Sequence, residues 1–410
     1  MKIPDFLTGH VSADAFAQSM LRTFAKKGFP QARYDAPKFA IALGTSSEPH
    51  YMFLDNLYAD YCRIPRLRRG GVIEKMADLR IQGIAETKAN TPSADKLIPV
   101  IKDISYTWFC RAQIQEIEKD AQHQVSGMPV GDFHQAILVL DSPTQTQQAD
   151  DSTLKTLNIG FDAAMTQAVH NLRSISPDKW RTVAPGCYMG MWDDTFECSR
   201  ILLPDLIYRL NLPDNPVALM PARGVLLVTS SSDLKGQLTI LAGARKLLDD
   251  NSHWISAHML ELVDGKWRPY TPSDARLRAF QNGMHARMDA NKYAQQKTLL
   301  EAQLTRQGRD IFVATCMALK DDNCAFSVAT WSAGVETWLP KTDYIMFLKP
   351  GAGDSHDKFS VPWDTAHSHL AALITKVPDM HPVRYHVVDF PDAAMLEMLR
   401  AQQVTMGPVG

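Results

Sequence analysis

The apolar residues of this chain fall at two spacings, and the switches between them mark alternating helices and strands. Phe16, Met20 and Phe24 recur at helical spacing between Ser12, a good capping residue, and Gly28, which predicts a helix over 13–27. A short strand is predicted over 38–43. A helix over 51–63 puts Leu54, Leu57, Tyr58 and Tyr61 on one face and is stopped by Pro65; another begins near Gly71. Apolar runs predict strands over 97–104 and 136–140, with helical residues 114–122 between them. Phe161, Met165, Val169 and Leu172 are spaced for one buried face of a helix over 156–173.

Further along, a strand is predicted over 187–191 and a helix over 201–210, its main part opening at Pro204. Strands over 217–220 and 224–228 and a helix over 233–248 follow. Residues 256–263 and 267–270 form a hairpin turning on Asp264-Gly265-Lys266. Residues 271–309 are polar and almost free of β-branched side chains, which predicts one or two long helices linking domains. Beyond them come a small antiparallel sheet from 310–319, 324–339 and 344–348, and a Gly/Asp loop over 349–358. A helix over 365–374, a strand over 384–388 and a helix over 393–402 complete the pattern.

The class is therefore α/β to α+β. Strand–helix units fill 1–270, with room for a subdomain boundary near 150. A helical connector (271–309) and a small α+β domain (310–410) follow. A chain of 410 residues is too long for one typical core.

Composition narrows the functional classes. Hydrophobic residues at 45% and charged residues at 21% argue against disorder and against a fibre. A formal net charge of −2 provides no global field toward nucleic acid or an anionic membrane, so a protein partner is favoured over nucleic acid. No run approaches the roughly 18–20 apolar residues that span a bilayer. Residues 1–5 lack the start of a secretory signal. Cys62, Cys110, Cys187, Cys198, Cys316 and Cys324 are scattered without a C-x-x-C pair, so neither a disulfide framework nor structural zinc is expected. The expectation is a soluble, cytoplasmic protein without a cofactor.

The middle of the chain carries a recognisable order of short motifs. They are His170-Asn171-Leu172-Arg173, then Asp194-Thr195-Phe196-Glu197-Cys198-Ser199-Arg200-Ile201-Leu202, the strand pair 217–228 with its following helix, and the hairpin through Trp267-Arg268-Pro269. In these it resembles the YtpQ-like family of bacterial proteins, a family of unknown function. Fainter likeness runs back through Leu97-Ile98-Pro99-Val100-Ile101, so about the first 270 residues are covered and the C-terminal part is not. Two departures stand out: Arg223-Gly224 follows Pro221 where an Arg-Asp or similar pair is expected, and Pro204 interrupts a helix expected to be continuous. The resemblance implies a fold and brings no reaction.

Candidate chemistry is sparse. Asp193, Asp194 and Glu197 lie beside Trp192 and Arg200; paired carboxylates can hold a divalent cation or divide acid and base roles, and equally they charge a helix start. Asp194, Glu197 and Arg200 are the catalytic candidates. Arg223 and Ser231 are candidate ligand-binding residues, Ser231 from the segment 229–233, where free N–H groups and hydroxyls could hold phosphate. That segment lacks the glycine spacing of a phosphate loop, and Asp233 opposes an anion, so ordinary capping is the plainer reading. Arg63, Arg66, Arg68 and Arg69, near Tyr58 and Tyr61, form a candidate partner-binding patch or a solvated turn. His356, His367 and His369 lie near Asp354 and Asp357, but residues two apart on a helix face different ways, and no metal is expected.

Two readings follow. One is a non-catalytic binding or scaffold protein acting through protein–protein contacts, with Trp180, Trp192, Trp254 and Trp267 offering contact surface. The other is an enzyme or small-anion (phosphate) binder using the acidic turn with Arg223 and Ser231. The second requires those residues to converge.

Overall fold

The computed structural model describes residues 11–45, 48–89, 92–117, 125–143, 146–249, 253–320, 325–350 and 356–404. Mixed helices and several sheets make it an α+β protein. The chain divides into two compact units, Met1–Lys96 with Leu140–Gln147, and Leu97–Val139 with Gln148–Gly410. The divisions expected near 150 and at 270–310 are not the ones the contacts make. Among the described residues no helix is long and apolar enough to cross a membrane.

In the first unit, helix α1 (Ala13–Lys26) begins where Ser12 Oγ accepts the Ala15 N–H at 3.2 Å. It buries Phe16, Ala17, Met20 and Phe24 in a core shared with the antiparallel strands β1 (Arg33–Asp35), β2 (Ala40–Thr45) and β3 (Glu48–Phe53). Helices α2 (Asp55–Arg63) and α3 (Val72–Ala89) complete it. Residues 51–53, expected to be helical, pair with β2 instead, since Tyr51-Met52-Phe53 suits a pleated surface and finds a partner strand.

The second unit opens with β4 (Leu97–Asp103), α4 (Tyr106–Ile117), β5 (Gly127–Val130) and β6 (His134–Asp141), the last two residues of which, with most of β7 (Thr146–Gln148), are grouped with the first unit. Strands β4, β6 and β5 pair in that order. Helix α4 starts eight residues earlier than the apolar pattern suggests, and 118–122 lie outside the described residues. The helix expected over 156–173 is two, α5 (Asp151–Thr156) and α6 (Phe161–Ser174). Asn158 at φ 51 breaks the chain, and Gly160 caps the restart.

Next come β8 (Trp180–Ala184), β9 (Cys187–Gly190), a 3-10 turn (Glu197–Leu202), α7 (Pro204–Tyr208), β10 (Pro216–Leu219) and β11 (Leu227–Ser230). Helix α8 (Leu234–Asp249) leads to the hairpin β12 (Met259–Val263) and β13 (Lys266–Tyr270), whose turn takes Asp264 to φ 50 and Gly265 to φ 73. The strands form an antiparallel sheet ordered β13-β12-β10-β11-β9-β8, and α8 buries Ile240, Leu241, Ala244 and Leu248 against it.

Residues 271–309 do not form a connector. They form one 33-residue helix, α9 (Ala275–Gln307), capped by Asp274 Oδ1, which accepts from the Arg276 and Leu277 N–H groups, and ended by Gly308 at φ 64. A narrow stripe of Leu277, Met284, Met288, Tyr293, Leu300 and Leu304 is buried. The helix packs against α4, α8 and the following strands. At Gly283 an added Cβ would come 3.3 Å from Ala325 Cβ, so the close approach favours glycine.

The C-terminal part also departs from a single antiparallel sheet. Strands β14 (Phe312–Val313), β15 (Met317–Lys320), β16 (Ala325–Ser332), β17 (Thr337–Pro340), β18 (Tyr344–Pro350) and β19 (His356–Pro362) are followed by α10 (Trp363–His369), β20 (Thr375–Lys376), β21 (Arg384–Val387) and α11 (Ala393–Arg400). They make two sheets, ordered β14-β17-β21-β20 and β15-β16-β18-β19, with β14–β17 and β16–β18 parallel. Strand β17 leaves for the other sheet, which lets β18 return alongside β16. Residues 351–355 of the expected loop, Asp354 and Cys324 lie outside the described residues. Fully buried Arg384 ties α9 to the first of these sheets. Its guanidinium donates to Gln296 Oε1 at 2.7 Å and to the carbonyls of Ala314 at 2.8 Å, Trp338 at 3.0 Å and Tyr293 at 3.2 Å.

Asp274→Ala removes the acceptor at the head of α9 and should lower the unfolding free energy of the second unit by about 1 kcal/mol, measured by denaturant titration. An unchanged midpoint would mean that packing alone sets where this helix begins.

Candidate functional site

Strand β4 ends on Lys102 and Asp103, and strand alternation sends their side chains to opposite faces. Each lies at the centre of a separate polar cluster within the second unit.

On the Asp103 face, Oδ1 accepts the Ser105 N–H at 2.9 Å and the Ser105 hydroxyl, a local turn that launches α4. Oδ2 meets Lys292 Nζ of α9 at 2.7 Å, and Asp289 lies 3.6 Å from the same ammonium. Burial pulls the Lys292 ammonium down, but Asp103 and Asp289 outweigh it and leave it above its ordinary value. Burial pushes the Asp289 carboxyl up, against the pull of Lys292 and His285.

Three histidines surround this pair. His258 is stacked between Phe133, at 3.5 Å between ring centroids, and His285, at 3.8 Å. His134 is wholly buried, and neither of its ring nitrogens has a hydrogen-bond partner; His285 Nε2 has none either. Burial lowers all three, His134 to about 4, with Lys292 adding to the effect and Asp103 opposing it. The imidazoles are thus neutral at ordinary pH. Among the described residues no group of three or more metal-ligating side chains is placed to hold an ion. The cluster is a half-buried ion pair beside a histidine-lined core.

The Lys102 face is different. The ammonium lies 4.8 Å from the centre of the Tyr106 ring, on the first turn of α4. Tyr106 and Cys110 are four residues apart on one helix face, and both Arg223 and Cys198 lie within electrostatic reach of Lys102. Neither Lys102 nor Arg223 has a carboxylate within ion-pair distance among the described residues. Burial, reinforced by Arg223, lowers the Lys102 ammonium. Burial raises the Tyr106 phenol and the Cys110 thiol, and it raises the Cys198 thiol to about 12, so these groups are neutral. The Gln148 amide lies beside the Cys110 thiol, yet its buried Nε2 has no hydrogen-bond acceptor.

The acidic turn borders this face. Arg223 Nη2 donates to Thr195 Oγ1 at 3.3 Å, and a Cβ on the neighbouring Gly224 would lie 3.5 Å from Glu197 Oε2. Glu197 Oε1 accepts the Asp193 N–H at 2.9 Å, while its buried Oε2 has no partner. Asp193 and Thr195 sit at φ 56 and 67, which a β-branched threonine adopts only under strain of about 1–3 kcal/mol.

Asp194 and Arg200 instead hold the turn together. The wholly buried Arg200 guanidinium takes Asp194 Oδ1 at 2.8 Å and Oδ2 at 2.6 Å. It also donates to Ser176 Oγ at 3.0 Å and the Ile175 carbonyl at 3.1 Å, and it lies over the Trp192 ring. With every face of the guanidinium in use, its role is structural. Ser231 does not join the others: it follows β11, whereas Arg223 precedes that strand, and its carbonyl receives Gln237 Nε2 and the Tyr270 hydroxyl. Asp233 caps α8, accepting the Gly236 N–H.

Arg63, Arg66, Arg68 and Arg69 belong to the first unit. Arg63 meets Asp60 at 3.0 Å, and Arg69 donates to the Ile64 and Cys62 carbonyls over the Tyr61 ring, closing the interhelical turn; Arg66 and Arg68 are exposed. His367 stacks with Trp363, and His369 meets Gln402. Of the four tryptophans only Trp192 is buried; Trp180, Trp254 and Trp267 are half-buried. Trp192 is buried against Trp180, Trp267 donates to the Ile201 carbonyl, and Trp254 packs on the core under α8.

Sequence reasoning missed Lys102, Tyr106, Cys110 and Gln148, and also the histidine core. The four-residue steps from Lys102 to Tyr106 to Cys110 were a readable signal, as was the face His285, Asp289, Lys292 on a helix; the distant partners Arg223 and Asp103 were not. No family model, curated protein or solved structure matches this chain.

Because folded His134 binds a proton only near pH 4 while the unfolded chain binds one near 6.5, stability should be full above 6.5 and fall as the pH drops toward 4. The single residue accounts for on the order of 3 kcal/mol of that loss. His134→Leu should flatten the profile in chemical denaturation from pH 7.5 to 4.5; an unaltered slope would show that His134 is not held neutral. Asp194→Ala strands a buried guanidinium and should cost about 3–5 kcal/mol, read as a lower urea midpoint.

Proposed function

We propose that this protein binds a small anion, a phosphate or carboxylate, between Lys102 and Arg223. What supports the reading is that two cations, from β4 and from the segment before β11, lie within electrostatic reach of each other with no carboxylate at ion-pair distance from either among the described residues. Like charges brought together raise the free energy of the empty site, and an anion between them reverses that cost. Gln148 Nε2 is a donor without an acceptor, and the Tyr106 phenol stays protonated and able to donate. Thr195 steadies the Arg223 guanidinium.

This reading keeps Arg223 from the sequence-based candidates, gives Glu197 a place at the border, and leaves out Ser231. The likeness to the YtpQ-like family is expected over about the first 270 residues, a span that includes both Lys102 and the acidic turn. The scaffold reading remains the alternative: of the tryptophans that suggested an interface, Trp192 is buried, while Trp180, Trp254 and Trp267 are half-buried. A cytoplasmic setting suits a protein whose described cysteines are all unbridged.

Thermal unfolding of the full chain in inorganic phosphate, with chloride matched for ionic strength, tests the proposal. At roughly 100-fold excess over Kd the stabilisation is about 2.7 kcal/mol, a rise of several degrees. Lys102→Met and Arg223→Met should each remove most of it, and Arg268→Met at an exposed position should not. An equal rise in all four proteins, or none in the wild type, would rule the site out.

A further inference from the structure

We infer that the ring stack of Phe133, His258 and His285 is an acid-released latch, which holds the first half of α9 to the segment before β12 and lets it go when its imidazoles take up protons. The latch lies on the Asp103 face of β4, opposite Lys102, and is independent of the anion site. Three elements meet in it. Phe133 precedes β6, His258 precedes β12, and His285 belongs to α9. The His258 ring lies between the other two, 3.5 Å from Phe133 at 5° and 3.8 Å from His285 at 29°. Beside the stack, buried Gln281 of α9 donates to the Ala257 carbonyl at 3.1 Å, so the same stretch of helix is fastened twice.

The latch is closed only while its imidazoles are neutral. An imidazolium has two N–H groups and needs an acceptor for each. His285 Nε2 is buried without a partner, and so are both ring nitrogens of His134, which lies within electrostatic reach of His258. The charged groups that face the stack offer no relief. Lys292 opposes each added proton. Asp103 and Asp289 are committed to Lys292, and Asp343, between β17 and β18, receives the Ser327 N–H and hydroxyl at 2.7 Å. Two charged rings 3.8 Å apart also repel. Burial keeps all three imidazoles below their ordinary value, so the closed form is favoured above about pH 6.5 and loses ground as the pH falls. Asp289, whose carboxyl burial pushes up, gives back at most one proton on opening, against the three that the histidines take up.

The test is hydrogen–deuterium exchange of the full-length protein from pH 7 to 5, corrected for the intrinsic pH dependence of amide exchange and read peptide by peptide. Protection over residues 281–296 of α9 should fall by more than tenfold per pH unit below about 6.5, because opening takes up more than one net proton. Helix α6, which carries no part of the stack, should keep its protection. His258→Phe keeps a ring at the centre of the stack and removes one proton, so the fall should be gentler by up to about tenfold per unit. His285→Gln, which removes a proton from the α9 side, should act in the same direction. A fall of tenfold or less per unit, or one shared equally by α6, overturns the latch. So does a profile that both substitutions leave unchanged.

Discussion

A half-buried ammonium between two carboxylates fixes the geometry of the second unit. Lys292 projects from the middle of α9 and meets Asp103 at the last residue of β4, while Asp289 on the same helix shares the charge. Asp103 uses its other oxygen to start α4. One aspartate therefore sets where a strand stops, where a helix begins and where both rest on the longest element of the fold. The histidine stack packs beside this junction and leaves the charges partly desolvated. In such surroundings each charge is tolerable only because its counter-charge is present.

Burial acts on several cations here and gives a different result for each, according to what stands next to them. Lys292 has carboxylates and keeps its proton. Arg200 has a carboxylate taken on both oxygens, and Arg384 has an amide oxygen and three carbonyls, which suits a planar fork that can spread its donors. Lys102 has none of these. It has an aromatic ring, two thiols whose burial keeps them neutral, and another cation. The same desolvation that makes three of these groups structural leaves the fourth without a paired counter-charge among the described residues.

Local patterns were legible where local physics decides them. The cap at Ser12, the Asp264-Gly265 turn and the helix after Asp233 all lie where the sequence puts them. The long helix was misread because its average is polar: one stripe from Leu277 to Leu304 is buried, and composition averaged over all its faces hides it. The parallel pair β16–β18 was invisible because it depends on β17 choosing another sheet. The candidate site was half legible: Arg223 and the acidic turn could be named from the sequence, but Asp194 and Arg200 satisfy each other, and the electrostatic surroundings of Lys102 include residues some hundred positions away. A lysine at the end of a strand carries no mark of that in its own neighbourhood.

The adjacency of Lys102 and Asp103 has one more consequence. They face opposite ways only because β4 sits in one register, and sliding the strand by a single residue would exchange them. An acid would then enter the company of Arg223, and a base would be thrust among the histidines and against the ammonium of α9. Both swaps are penalised at once, so the two clusters act together as a lock on strand alignment, one that rejects the misthreaded chain before any ligand is present.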